Sequence, residues 1–127
     1  MPRIMYKPRP HKNEYIIWST VVDLPVSGVL DRDTAKETWR AGACSIMGTP
    51  ISAERAEESV QRADTKGWSI IDGDCPEYEL LRLANIEEYP GPYESGVCRL
   101  ADLAPVTRAI EARDWEKLHN LMTELNT

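Results

Sequence analysis

Residues 14–22 read Glu-Tyr-Ile-Ile-Trp-Ser-Thr-Val-Val and are dense in β-branched and aromatic side chains. In an extended chain, Ile16 and Trp18 face one side, whereas Tyr15 and Ile17 face the other. Because both faces are largely apolar, the pattern predicts a central strand covered on both sides rather than an edge strand. The segment ends at the Asp-Leu-Pro that follows, since proline has no backbone N–H to donate to a neighbouring strand.

The clearest predicted helix covers about residues 53–66. Ser52 is suited to cap its first turn, and Gly67 stands where a C-terminal glycine cap belongs. Small apolar residues recur at helical spacing along this segment: Ala53, Ala56, Val60 and Ala63. Small side chains let a helix axis approach a sheet closely, so we expect this helix to pack tightly on the sheet.

Other helices are predicted before and after this one. A short helix capped by Asp31 or Asp33 runs to about Arg40. Near the C-terminus, one helix covers about residues 102–112, and Asp114 is suited to cap a second. Two short helices joined by so brief a connection form a hairpin that packs on a sheet.

Further strands are predicted between these helices. Residues 68–71, Trp-Ser-Ile-Ile, form a short strand candidate. Residues 78–89 are compatible with a strand or a helix; the strand is favoured, with residues 90–92, Pro-Gly-Pro, turning it back into a second strand near 94–99. Together the elements predict an α+β fold, in which a small, mostly antiparallel sheet is packed by a central helix and a C-terminal helix pair.

The length of 127 residues suits one domain, and the charged residues are distributed unevenly along it. Residues 1–12 form a basic, proline-containing arm without acidic residues, and residues 13–127 form the single α+β domain. The basic residues of the arm are Arg3, Lys7, Arg9 and Lys12. We expect the arm to be a solvated leader that is dispensable for folding. The net charge of −6 disfavours nucleic-acid binding except through these four residues.

Composition also bears on location and cofactors. No apolar run is long enough to span a membrane, and the first residues lack the pattern of a signal peptide. Three cysteines, Cys44, Cys75 and Cys98, lack close pairing, which is typical of thiols in a reducing cytosol. A zinc site combining them with His11 or His119 is the less favoured alternative. We therefore expect a cytoplasmic protein with no membrane association, no cofactor and no metal.

Residues 72–94 carry seven acidic residues against Arg82 alone, with three tyrosines between them. Such a segment is either a solvated face or a surface for a basic partner, because clustered carboxylates speed association and tyrosines supply desolvated contacts. The candidate partner-binding residues are Asp72, Asp74, Glu77, Tyr78, Glu79, Glu87, Glu88, Tyr89, Tyr93 and Glu94. No catalytic residues stand out; the alternative is a small metal-dependent hydrolase using carboxylates near Asp72 and Asp74.

Residues 15–25, Tyr-Ile-Ile-Trp-Ser-Thr-Val-Val-Asp-Leu-Pro, resemble the opening strand of small accessory proteins of unknown function encoded by phages of actinobacteria. Residues 54–56, 62–67, 99–103 and 110–116 are similar to the helix end and helical tail of that group. The resemblance implies a phage accessory protein and no particular activity. The leading hypothesis is therefore a binding module for a host or phage protein, acting in host takeover or defence inhibition; the alternatives are the hydrolase and a nucleic-acid accessory protein using the basic arm.

Overall fold

The computed structural model describes residues 3–73, 75, 80–83, 86 and 96–124. Within these ranges it has four α-helices and two three-stranded antiparallel sheets, which confirms the α+β class. The strands are β1 (Arg3–Tyr6), β2 (Ile16–Ser19), β3 (Leu24–Pro25), β4 (Leu80–Leu83), β5 (Gly96–Arg99) and β6 (Thr123–Glu124). The helices are α1 (Arg32–Thr38), α2 (Ala53–Lys66), α3 (Leu103–Ala112) and α4 (Trp115–Leu121). The single predicted sheet is therefore two separate sheets, ordered β1-β2-β3 and β4-β5-β6.

Strand β2 is the centre of the first sheet, as its two apolar faces predict. Ile16 and Trp18 lie in one core cluster, whereas Tyr15 and Ile17 lie in another. The first cluster lies between this sheet and the second sheet with α3 and α4, and the other packs against α1 and α2. The first sheet is thus the middle layer of the fold, which is why β2 is buried along its whole length.

Helix boundaries follow the predicted capping residues. The side chain of Ser52 accepts a hydrogen bond from the Arg55 N–H, and Gly67 ends α2 in the left-handed conformation with φ of 88°. Asp31 caps α1, and Asp114 caps α4 through the Lys117 N–H. Between α1 and the next loop, residues Trp39–Ala43 continue as a π-helical turn.

The N-terminal arm is not a solvated leader, so that prediction is wrong. Residues Arg3–Tyr6 form β1, which pairs along its length with β2. Ile4 and Tyr6 are buried in the first core cluster, and Met5 is fully buried in the other. The three consecutive side chains bury apolar area on both faces of the sheet, and this outweighs the charges and prolines that flank them.

The segment 68–71 is not a strand, contrary to the prediction. Among the described residues it pairs through one isolated bridge, between Trp68 and Tyr6, and Ser69 exchanges hydrogen bonds with Met5. The Ile70 and Ile71 carbonyls accept hydrogen bonds from Lys66 Nζ. Because a side chain of α2 occupies these acceptors, the segment closes over the helix end instead of extending the sheet.

The ambiguous segment 78–89 contains a strand where the structure describes it. Strand β4 pairs antiparallel with β5, joining Leu80 to Arg99 and Leu83 to Gly96. Every second residue of β4 is buried, which places Leu81 and Leu83 in the core and leaves Leu80 exposed. The predicted Pro-Gly-Pro turn at residues 90–92 lies outside the described residues.

Candidate functional site

The acidic segment 72–94 is described only in part. Of the ten predicted partner-binding residues, Asp72 alone lies in the described ranges, at an exposed bend after residue 71. The other nine lie outside them: Asp74, Glu77, Tyr78, Glu79, Glu87, Glu88, Tyr89, Tyr93 and Glu94. The assignment of this segment to a partner therefore stays a prediction.

Ile86, from the middle of this segment, lies in a groove that we call the apolar groove. The groove has a volume of about 450 Å³ and runs between β3 and the corner where α3 meets α4. Its walls are formed by Val22, residues 24–26, Ile86, Ile110, Arg113 and Trp115. Glu87 and Glu88 follow Ile86 directly in the sequence, outside the described residues.

The exposed side chains of the groove are unusually apolar for a surface. Val22 is 38% and Val26 43% exposed, and Val21 beside them is 64% exposed. Val21 and Val22 lie in the turn after β2, and Val26 directly follows the edge strand β3. In that strand Pro25 is opposite Trp18 and Leu24 is opposite Ser19. Contiguous exposed apolar side chains are rare on monomeric domains and commonly mark interaction sites.

The backbone of β3 limits how a partner could bind there. β3 is only two residues long and lies at the edge of its sheet. Pro25 has no N–H, and the Val26 N–H already donates to the Ile17 carbonyl at 2.8 Å. A partner strand would therefore find few backbone donors, and recognition depends on side chains packing into the groove.

A second groove, the basic groove, lies at the end of α2. It has a volume of about 500 Å³, and its walls come from segment 7–11, residues 63–67, Cys75, Leu100 and Ala101. The positively charged side chains on it are Lys7, Arg9 and Lys66. The structure thus brings two cations of the predicted leader beside the helix end, instead of leaving them in solvent.

Asp64, on the wall of the basic groove, is the centre of an ion-pair network. Its carboxylate accepts hydrogen bonds from the Tyr15 hydroxyl and, at 3.0 Å, from Arg32 Nε, and it lies 3.4 Å from Lys7 Nζ. Arg32 also donates two hydrogen bonds to Glu57, at 3.0 and 2.8 Å. The network ties Tyr15, the residue before β2, to α1 and α2 at the rim of the groove.

The network shifts the pKa values of the groups that belong to it. Burial raises the pKa of Tyr15, and the hydrogen bond to the Asp64 carboxylate raises it further. Burial would raise the pKa of Asp64, but the hydrogen bonds from Tyr15 and Arg32 outweigh that effect and lower it. The hydrogen bonds from Arg32 lower the pKa of Glu57. Near neutral pH, Tyr15 is therefore protonated and both carboxylates are charged.

Replacing Tyr15 by Phe should lower the free energy of unfolding by about 1–2 kcal/mol at pH 7, because the hydrogen bond to Asp64 is lost. Since the folded-state pKa of Tyr15 lies above its ordinary value of 10.0, its contribution is complete below pH 10 and decreases as pH rises. Denaturant unfolding of both proteins between pH 7 and 11 measures this: their difference should shrink above pH 10. A constant difference would show that Tyr15 titrates normally.

The three cysteines are thiols, and they lie in different surroundings. Cys98 is buried, and burial raises its pKa to about 12. Cys75 lies on the basic groove, and Cys44 lies in the loop after the π-helical turn, where its thiol donates to the Thr49 carbonyl. Within the described part of the chain, no group of three His, Cys, Asp or Glu residues is placed to hold a metal ion.

Sequence reasoning missed both grooves. In the sequence, Ile110 and Trp115 belong only to the predicted C-terminal helices, and Lys7 and Arg9 only to the predicted leader. One local signal was available: the apolar side chains continue past β2 into residues 21–26, beyond what one strand needs.

Comparison with protein-family models, curated proteins and solved structures gave no match to this chain. None of the helices in the described ranges combines the length and apolar character that crossing a membrane requires.

Proposed function

We propose that this protein is a protein-binding module, and that its apolar groove takes an apolar side chain from a basic segment of the partner. The observation that carries the proposal is the exposed pair Val22 and Val26 on a groove that Ile86 also lines. Protein interfaces combine an apolar centre with a polar rim, and the residues that follow Ile86 in the sequence, Glu87 and Glu88, are acidic. A basic partner complements that charge.

The biological setting is part of the same proposal. The resemblance of residues 15–25 to phage-encoded accessory proteins supports a role during infection, in the cytosol of the host cell. The partner is then a host or phage protein, and binding alters its activity, as in host takeover or defence inhibition. No described feature of the site requires a chemical step for this role.

Val26→Glu is the sharpest test of the groove. Val26 is partly exposed, and its backbone hydrogen bond to Ile17 does not depend on the side chain, so the fold should persist. A carboxylate there must be desolvated when the groove is filled, which should weaken partner binding by at least about tenfold. The partner is first captured with the tagged protein from infected cells and identified by mass spectrometry; its affinity for purified wild type and variant is then measured by biolayer interferometry.

Ile46→Glu is the matched control, because Ile46 is 51% exposed and lies outside the groove. It should leave affinity unchanged. Reversing Glu87 and Glu88 to Lys should slow association at low salt and change dissociation little, since long-range charge attraction acts mainly on the rate of encounter. If the captured partner binds Val26→Glu as tightly as wild type, the interface lies elsewhere and the proposal is wrong.

A further inference from the structure

The basic groove has the size and charge of a small-ligand site. Pockets that hold small molecules are commonly about 300–1,000 Å³, and this groove is about 500 Å³. Among the described residues at the groove, three cations stand beside two carboxylates, Asp64 on the wall and Asp102 at 3.8 Å from Arg9, although the whole chain carries a net charge of −6. The local charge is therefore opposite to that of the protein, which favours an anionic ligand.

The cations of the groove retain donors for a ligand. Lys7 Nζ is 3.4 Å from Asp64, longer than the about 2.7–2.9 Å of a strong charge-assisted hydrogen bond. Arg9 donates through Nε to the Ala101 carbonyl at 3.0 Å, and its terminal nitrogen is 3.8 Å from Asp102, too far for a hydrogen bond. The Arg9 side chain is 41% exposed, so much of its guanidinium stays accessible.

The negative groups at the groove are already compensated. The Asp64 carboxylate is paired with Arg32 and Lys7 and accepts the Tyr15 hydroxyl. At the C-terminal end of α2, the Gly67 carbonyl accepts the Lys7 N–H at 2.9 Å, and Lys66 Nζ covers the carbonyls that follow the helix. A ligand anion would therefore meet little uncompensated negative charge at this helix end.

We propose that the basic groove binds the phosphate group of a small molecule. A phosphate carries more than one charge and several acceptor oxygens, so it can accept hydrogen bonds from Lys7 and Arg9 while Lys66 adds positive charge to the wall, and a single carboxylate cannot do this as fully. A nucleic-acid backbone offers the same group, but a long polyanion would be repelled by the acidic remainder of the chain. The groove is separate from the apolar groove, so this proposal stands or falls independently of the protein-binding role.

Cys75 provides a reporter inside the groove, and Cys44, also half-buried, provides a control outside it. The purified protein is alkylated with iodoacetamide at constant ionic strength, with and without inorganic tripolyphosphate, and each cysteine is followed by peptide mass spectrometry. At a tripolyphosphate concentration about ten times Kd, alkylation of Cys75 should slow by about tenfold. Alkylation of Cys44 should not change. Equal effects on both thiols, or no effect on Cys75, would overturn the proposal.

Arg9→Gln tests the same binding without the thiol. Calorimetric titration of tripolyphosphate should show affinity reduced by about tenfold in this variant, because one charged donor is lost. Lys12→Gln is the matched control, since Lys12 is exposed in the same segment but does not line the groove. Equal affinity for wild type and Arg9→Gln would contradict the proposed site. A twelve-residue oligothymidylate that protects Cys75 at a lower phosphate concentration than tripolyphosphate would overturn the assignment to a small molecule.

Discussion

Deleting residues 1–6 should abolish cooperative folding. The deletion removes β1 and the buried side chains of Ile4, Met5 and Tyr6, which contribute to both core clusters. Truncation of one such side chain commonly costs about 2–5 kcal/mol. Three together approach the about 5–15 kcal/mol that stabilises a whole domain. Circular dichroism during heating should show no sigmoidal transition for the deleted protein.

Two variants make this test specific. Met5→Ala should fold but lose about 2–5 kcal/mol in a urea melt, because Met5 is fully buried between the sheet and α2. Arg9→Gln and Lys12→Gln together should keep the melting temperature within about 2 °C, since neither side chain is buried. If the deleted protein melted like wild type, β1 would not belong to the core.

The contrast between β1 and β2 shows what the sequence could reveal. Residues 14–22 offer a long apolar run on both faces, so burial of β2 was predictable without knowing its neighbours. β1 offers three apolar residues between Arg3 and Lys7, a run too short to outweigh charge and proline in a local reading. Its strand character depends on pairing with β2 and on packing against α2, which are contacts distant in sequence.

Local chemistry predicted the helix boundaries better than the sheet connections. Ser52, Gly67 and Asp114 act through neighbours within four residues, so their roles can be read from a short window. The segment 68–71 has strand-like composition, but Lys66 Nζ reaches its carbonyls and only one bridge to Tyr6 forms. That competition depends on where α2 ends relative to β1, which composition does not encode.

Both candidate grooves arise from distant segments. The apolar groove joins Val22 and residues 24–26 with Ile86 and Trp115, and the basic groove joins Arg9 with Lys66 and Cys75. Taken alone in the sequence, each wall looks like a common structural feature: the end of a strand, an apolar helix face or a basic leader. The acidic segment was noticeable because its charges are neighbours in the sequence, whereas the grooves require the fold to bring their walls together.

Trp18→Ala should lower the free energy of unfolding by about 3–5 kcal/mol, as expected when a buried aromatic side chain is truncated. Trp18 is 3% exposed and lies in the middle of β2, where β1 and β3 flank it through Ile4 and Pro25. The Tyr6 ring meets it edge to face, with ring centroids 6.4 Å apart. Few neighbours can close the resulting cavity, because both flanking strands hold the backbone of β2 in place. Urea denaturation followed by far-ultraviolet circular dichroism measures the loss.

Trp68→Ala is the matched control for Trp18→Ala. Trp68 also lies 6.4 Å from Tyr6 between ring centroids, but it is only partly buried and packs at the margin of the same cluster. Its truncation should therefore cost less than that of Trp18, and the difference reports depth in the core rather than loss of an aromatic contact. A loss below about 1 kcal/mol for Trp18→Ala would be no larger than that of an average substitution. β2 would then not be the centre of the fold, and the two-sided apolar pattern of residues 14–22 would need another explanation.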